Sequence, residues 1–289
     1  MKKSFIILSI AILFVSLLTS CKHDEIYNPK CKISKIWFRS DVGDADQIFN
    51  YEKKDLVSIT LKDGLYYYFE YNKDHTVNKI THLNKFDIEE SVQLTYVDKF
   101  LSKIEYTMNG ALREEVKFVR DINDNISTVT TNYDREFFNS IDKILQSDFY
   151  RTFVGDNPEL LKNLAKQEMK SLVLYSISIV TYDEKNHNIT NVATTIPDYN
   201  IVSVTDYTYD EGVNPYFGLS YVYANLKGYS KNNKVLEKCV TKIDGYISTD
   251  VTTSYEYQYN DLQYPRRIIT RASDNNNVPV NTYILFVKE

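Results

Sequence analysis

One unit recurs along this chain and restricts what it can fold into: an alternating run ending in an aromatic residue, a polar turn carrying Asn or Asp, and a second run opening on Ile, Val or Leu. Copies read FEYNKDHTVNKI (69 to 80), LTYVDKFLSKI (94 to 104), KFVRDINDNISTV (117 to 129), VTYDEKNHNITNV (180 to 192) and YQYNDLQYPRRI (257 to 268). Tyr255, Tyr257 and Tyr259 alternate with Ser254, Glu256, Gln258 and Asn260, the period of two that marks a half-buried strand. Polar residues at the turn reverse the chain, so each copy predicts a β-hairpin. Leu65, Tyr67, Phe69 and Tyr71 repeat the alternation, while Tyr66 and Tyr68 put rings on the opposite face as well. With 25 tyrosines in the chain, cross-strand ring contacts are expected to support the sheet.

One stretch departs from this period. Phe137, Phe138, Ile141, Ile144, Leu145 and Phe149 fall at helical spacing, with Asp134 placed to cap the start. A second helix is expected from Asn157, with Pro158 at its first position and Leu160, Leu161, Leu164 and Ala165 on its apolar stripe. The expected architecture is all-β with a helical insertion around 135–170: a single antiparallel domain over 35–289, a meander of hairpins forming a strongly curved or barrel-like sheet. The insertion would plug or cover an open end of that sheet.

Residues 1 to 20 stand apart. Lys2 and Lys3 precede an uncharged run, FIILSIAILFVSLL, from Phe5 to Leu18. As a helix that run would reach only about 21 Å, short of the ~30 Å hydrocarbon core, so it reads as a cleaved export signal. The following Leu18-Thr19-Ser20-Cys21 resembles the lipobox of bacterial lipoproteins, which implies acylation of Cys21, palmitate being the expected kind of chain. Multiple acyl chains on one cysteine give the stable membrane anchor that a single chain does not. An ordinary signal peptide with a coincidental cysteine is the alternative.

Residues 21–34 read as a lipidated tether. Within it Asp24 and Glu25 resemble the acidic signal that sends Bacteroides-type lipoproteins to the outer face of the outer membrane; a merely soluble linker, with the protein facing the periplasm, is the other reading. With Cys21 lipidated, Cys31 and Cys239 remain, an even pair that could form a disulfide in an oxidising compartment or stay as free thiols.

These residues together resemble a family of Bacteroides-type lipoproteins whose domain of unknown function has a porin-like β fold. The likeness rests on the lipobox, the Tyr/Asp hairpins, and the run Tyr209-Asp210, Asn214-Pro215-Tyr216-Phe217-Gly218-Leu219, Ser230-Lys231-Asn232-Asn233, with Tyr264-Pro265 in the last hairpin. It implies a fold and an envelope location but no activity and no functional residue. Membrane insertion is not implied, because Glu70, Lys103 and Glu115 lie on alternating faces that a lipid-facing strand would need apolar.

Signatures of chemistry are sparse. The eight glycines never come closer than six residues apart, so no glycine-rich phosphate loop is present. The sequence contains no GxSxG, CxxC or HExxH, and no cofactor or metal is expected. His75 and His82 flank a strand without a nearby cysteine and read as surface residues. Asp121-Ile122-Asn123-Asp124-Asn125 opens like a calcium loop, but Ile126 stands where that loop needs glycine and Asn132 where it needs glutamate, so it reads as a hairpin turn. Asp41, Asp44 and Asp46 read as a solvated acidic loop.

Two of the 34 basic residues lie in the signal, leaving 32 against 39 acidic, a net charge of −7 that disfavours nucleic acid. The expected function is a non-enzymatic envelope module binding a glycan or a protein partner and held to the membrane by its lipid. A polysaccharide-acting hydrolase and a structural accessory subunit are the alternatives; a deep cleft with two convergent carboxylates would favour the hydrolase.

Overall fold

The computed structural model describes residues 31–39, 43–83, 88–155, 173–183, 185–217, 226 and 228–288. They form β1 (Cys31–Phe38), β2 (Gln47–Glu52), β3 (Asp55–Leu61), β4 (Tyr66–Tyr71), β5 (Val77–Leu83), β6 (Glu89–Val97), β7 (Phe100–Met108) and β8 (Ala111–Arg120). There follow β9 (Ile126–Asp134), β10 (Val173–Tyr182), β11 (Ile189–Ile196), β12 (Ile201–Val213), β13 (Asn232–Ile243), β14 (Tyr246–Tyr259), β15 (Pro265–Ala272) and β16 (Val280–Lys288). Each strand pairs antiparallel with its sequence neighbours, and β1 pairs with β16, so the meander closes into a barrel. Closure removes the two exposed edges that an open sheet would present to other chains.

All five sequence repeats are hairpins of this barrel, and all join an even-numbered strand to the next odd one, so their turns share one rim. Three of the turns use the same local chemistry. Asn72, Asp121 and Asn260 open them, and His75, Asp124 and Gln263 take a left-handed conformation with φ of 65°, 64° and 64°. The Asp121 carboxylate accepts the backbone N–H of Asn123 (2.8 Å) and Asn125 (3.0 Å), and the Asn260 side chain does the same for Leu262 (2.9 Å) and Tyr264 (3.0 Å). Asp121 to Asn125 is therefore a turn. Left-handed backbone is costly for a residue with a Cβ, so Gln263→Gly is expected to stabilise the protein by about 0.5–1 kcal/mol in chemical denaturation. A loss of stability would mean that the Gln263 side chain contributes more than its strain costs.

The rim is also strapped by tyrosines. Tyr51 donates to the carbonyl of Ile33 (3.0 Å), Tyr71 to Leu56 (2.9 Å), Tyr209 to Ile189 (2.6 Å) and Tyr257 to Lys234 (2.5 Å). In the last three, a phenol from one hairpin reaches back to the start of the second strand of the hairpin before it. Each inward ring thus supplies apolar wall while its hydroxyl ties neighbouring hairpins together.

A barrel of this size leaves room for a channel unless something fills it. Here the filling begins with three short helices between β9 and β10: α1 (Arg135–Asn139), α2 (Ile141–Gln146) and α3 (Asp148–Phe153). Asp134 caps the first, accepting the N–H of Phe137 at 2.6 Å. The helix expected from Asn157 lies outside the described residues. Phe137, Ile144, Phe149, Tyr150 and Phe153 are buried against the inner face of the wall. Tyr67 meets Phe149 and Phe153 at centroid distances of 5.5 and 5.1 Å, Tyr106 meets Tyr150 at 5.1 Å, and Tyr133 meets Phe137 at 4.8 Å. Many of the ring contacts therefore run from wall to insertion and not along strand ladders, because inward rings on a wide barrel find the filling before they find each other.

Some expectations change. His82 is buried and not a surface residue: its inward position on β5 stacks it on Phe149 at 5.7 Å and bonds Nδ1 to the carbonyl oxygen of Tyr66 at 3.0 Å. The first strand begins at Cys31, inside the segment read as tether, because Cys31, Ile33 and Ile36 face the core. Cys31 and Cys239 are free thiols, so the disulfide that their even number allowed is not formed. They sit on β1 and β13 with β16, β15 and β14 between, and four interstrand steps of about 4.8 Å exceed the ~7 Å limit for a bridge.

The outer wall is polar at mid-strand. Paired residues Glu70, Lys79, Gln93, Glu105, Glu115 and Asn132 run in one row across β4 to β9. Asn191, Asp206, Lys238 and Thr252 form a corresponding row across β11 to β14. On the first row Lys103 pairs with Glu105 (2.9 Å) and Lys117 with Glu115 (2.6 Å). A lysine facing the bilayer midplane costs about 2–4 kcal/mol in a transmembrane barrel, so this face suits water and not hydrocarbon.

Candidate functional site

The inner face divides into two regions. Along β4 to β9 it is sealed against the helices. Two buried carboxylates there belong to the seal: Glu90 accepts from Tyr106 Oη (2.7 Å) and from Ser147 Oγ (2.8 and 2.9 Å), and Glu114 accepts from Tyr150 Oη (2.7 Å). The Ser147 and Tyr150 hydroxyls fasten α3 to the wall.

Along β12 to β16 the inner face borders a cavity of about 460 Å³. Its wall carries Tyr207 and Tyr209 from β12, Lys234 and Glu237 from β13, Tyr255 and Tyr257 from β14, and Ile268 and Thr270 from β15. Arg151, on α3, and Gly155, just after it, also line it. Arg151 is paired with Asp148.

The polar centre is a pair. Lys234 Nζ donates to Glu237 Oε2 at 2.7 Å, and its ammonium lies 4.9 Å from the ring centroid of Tyr207 and 5.8 Å from that of Tyr255. Tyr255 Oη donates to the same Glu237 oxygen at 3.3 Å. Burial alone would lower the Lys234 pKa, but the Glu237 carboxylate and the surrounding phenols outweigh it and hold the ammonium well above the usual lysine range. The Lys234 and Glu237 side chains keep 32% and 28% of their surface open, so the pair faces the cavity space and is not sealed in packing.

Lys234 and Glu237 are three residues apart, a spacing that puts side chains on opposite faces of a regular strand. A bulge brings them together: Thr208 pairs with Leu236 but Tyr209 pairs with Lys234, leaving Val235 as the extra residue. Such a bulge re-aims a side chain, and period-two reasoning does not find the pair. Below it, Tyr259 Oη donates to Asp210 and receives Asn233 Nδ2 at 3.3 Å, while Tyr257 and Tyr259 stack at 5.7 Å. Gly212 leaves room for this arrangement, since a Cβ there would lie 2.5 Å from the Tyr259 ring.

Of the candidates read from sequence, Cys21, Asp24, Glu25 and Asp41 lie outside the described residues. His75 is in a turn with Nδ1 2.9 Å from Asp55, and His187 is also a left-handed turn residue. Asp46 accepts the N–H of Phe38 at 2.6 Å. Among the described residues no group of three or more His, Cys, Asp or Glu side chains is placed to hold a metal.

No family model matches the chain, and no curated protein matches it. Among solved structures it is similar to a porin-like protein from Bacteroides vulgatus, at 8% identity and a TM-score of 0.52, covering 90% of this chain and all of the other. A porin-like protein from Bacteroides uniformis is also similar, at 10% identity and a TM-score of 0.34, covering 90% of this chain and 99% of the other. The first likeness shows a shared porin-like barrel fold.

Proposed function

We propose that the protein is a lipid-anchored, non-enzymatic binding module of the cell envelope, and that its ligand site is the cavity on the inner wall of β12 to β15. The observation that carries this reading is the cavity itself. A space of about 460 Å³ lined by aromatic rings around a few polar groups has the size and composition of a small-molecule site. A binding role is favoured over hydrolysis because Glu237 is the one carboxylate among the described residues lining it, whereas glycoside hydrolysis ordinarily requires two. Glu90 and Glu114 are engaged in holding α3.

A thermal-shift screen with polar small molecules tests the site. A hit should lose its effect in Thr270→Trp, which fills the cavity from β15. Binding that survives Thr270→Trp places the ligand elsewhere and refutes the lumen site.

The anchoring half of the proposal rests on the lipobox at Cys21 and the water-suited outer wall, and the porin-like protein from Bacteroides vulgatus that shares the fold is consistent with it. Asp24 and Glu25 argue for the outer membrane, with the barrel on the cell surface. Cys21→Ala is expected to abolish lipid labelling and to release the protein from the membrane fraction; a variant that stays with the membrane would refute the anchor. Protease shaving of intact cells should remove the barrel, and full protection would place it facing the periplasm.

A further inference from the structure

We infer that the cavity recognises a neutral saccharide, through a vicinal pair of hydroxyls bound by Lys234 and Glu237. The inference rests on the lumen site proposed above and names its ligand class. Among the described residues, Lys234 Nζ donates a hydrogen bond to Glu237 Oε2 and to no other acceptor, leaving two N–H groups. Glu237 Oε2 accepts from both Lys234 and Tyr255, while Oε1 accepts from neither. The pair thus offers donors and an acceptor side by side on one wall of the cavity.

Adjacent hydroxyls of a sugar ring match that arrangement: one accepts from the ammonium while the other donates to the free carboxylate oxygen. Both bonds are charge-assisted, the stronger class. The remaining wall suits the rest of such a ligand, because Tyr207, Tyr209, Tyr255 and Tyr257 present ring surface to the apolar C–H face of a pyranose.

Charge selects against other ligands. Lys234 is balanced by Glu237 and Arg151 by Asp148, so the cavity holds no uncompensated charge among its described lining residues. A uronate or an amino sugar would bring an ion into a partly desolvated space without a counter-ion, which is costly. A neutral polyol meets no such penalty.

The test is calorimetric titration of the protein, purified in a non-glycosidic detergent, with maltose, cellobiose and lactose, and with glucuronate, galacturonate and glucosamine. The neutral disaccharides, or one of them, should bind and the charged sugars should bind at least about tenfold more weakly. The double variant Lys234→Met/Glu237→Met, which exchanges an ion pair for apolar groups and is expected to fold, should lose at least about tenfold in affinity for the neutral sugar. Lack of binding by all three neutral disaccharides, tighter binding of a charged sugar, or full affinity in the double variant would each overturn the inference. If a ligand of another class binds and Thr270→Trp abolishes that binding, the lumen site stands and the saccharide assignment falls. If Thr270→Trp leaves disaccharide binding intact, both fall.

Discussion

Phe149→Ala is expected to lower the unfolding free energy by about 3–5 kcal/mol, the range for deleting a fully buried aromatic side chain. Phe149 has no exposed surface, and its ring touches Tyr67, Phe153 and His82 at once. Its loss opens a hole between the wall and α3, and rings fixed on three separate elements, β4, β5 and α3, cannot collapse into it. Tyr150→Phe should cost less, about 1–3 kcal/mol, because it keeps the ring and removes only the hydroxyl that donates to Glu114. Chemical denaturation of both variants measures the difference. A loss below about 1 kcal/mol for Phe149→Ala would show that the insertion rests loosely in the lumen and that the barrel stands without it.

Raising the pH is expected to unfold the barrel cooperatively between pH 10 and 12, with a step of phenolate absorbance from the buried tyrosines accompanying loss of the β-sheet signal. Burial pushes Tyr209, Tyr216 and Tyr255 up to about 12 from 10.0, and pushes Tyr67, Tyr106, Tyr150 and Tyr257 higher still. The folded state thus holds phenol protons that the unfolded chain releases near pH 10. The associated stability is fully present below pH 10 and drains away as the pH climbs toward the folded values. Lys234, also raised, acts in the same direction. Loss of the sheet signal with no accompanying step in phenolate absorbance would show that these rings had titrated in place, contrary to their burial.

The hairpins were legible because their causes are local. Alternation places Tyr67 and Phe69 on one face and Tyr66 and Tyr68 on the other, and the structure buries the first two and exposes the second. Asp121 and Asn260 open turns because their short side chains accept backbone N–H groups two and four residues on, and Asn72 opens its turn with a side-chain bond to Thr76. The Asp134 cap and helical spacing from Phe137 were readable for the same reason. His82 was misjudged because a strand residue's exposure depends on what covers its face, and the cover here, Phe149, is 67 residues away in sequence. The Lys234 and Glu237 pair was invisible because a single extra residue, Val235, reverses the facing that alternation assigns.

By itself the sequence determined the elements: hairpin after hairpin, a helical interruption, and inward tyrosines at the strand ends that later become straps. Each depends on interactions within a dozen residues, which pattern alone encodes. Only the tertiary structure decided that β1 meets β16, that the helices enter the lumen, and that a cavity lies among the described residues of β12 to β16. Those outcomes depend on the circumference of the closed sheet and on how much of its interior the insertion fills, quantities that belong to the assembled barrel and to no segment of it.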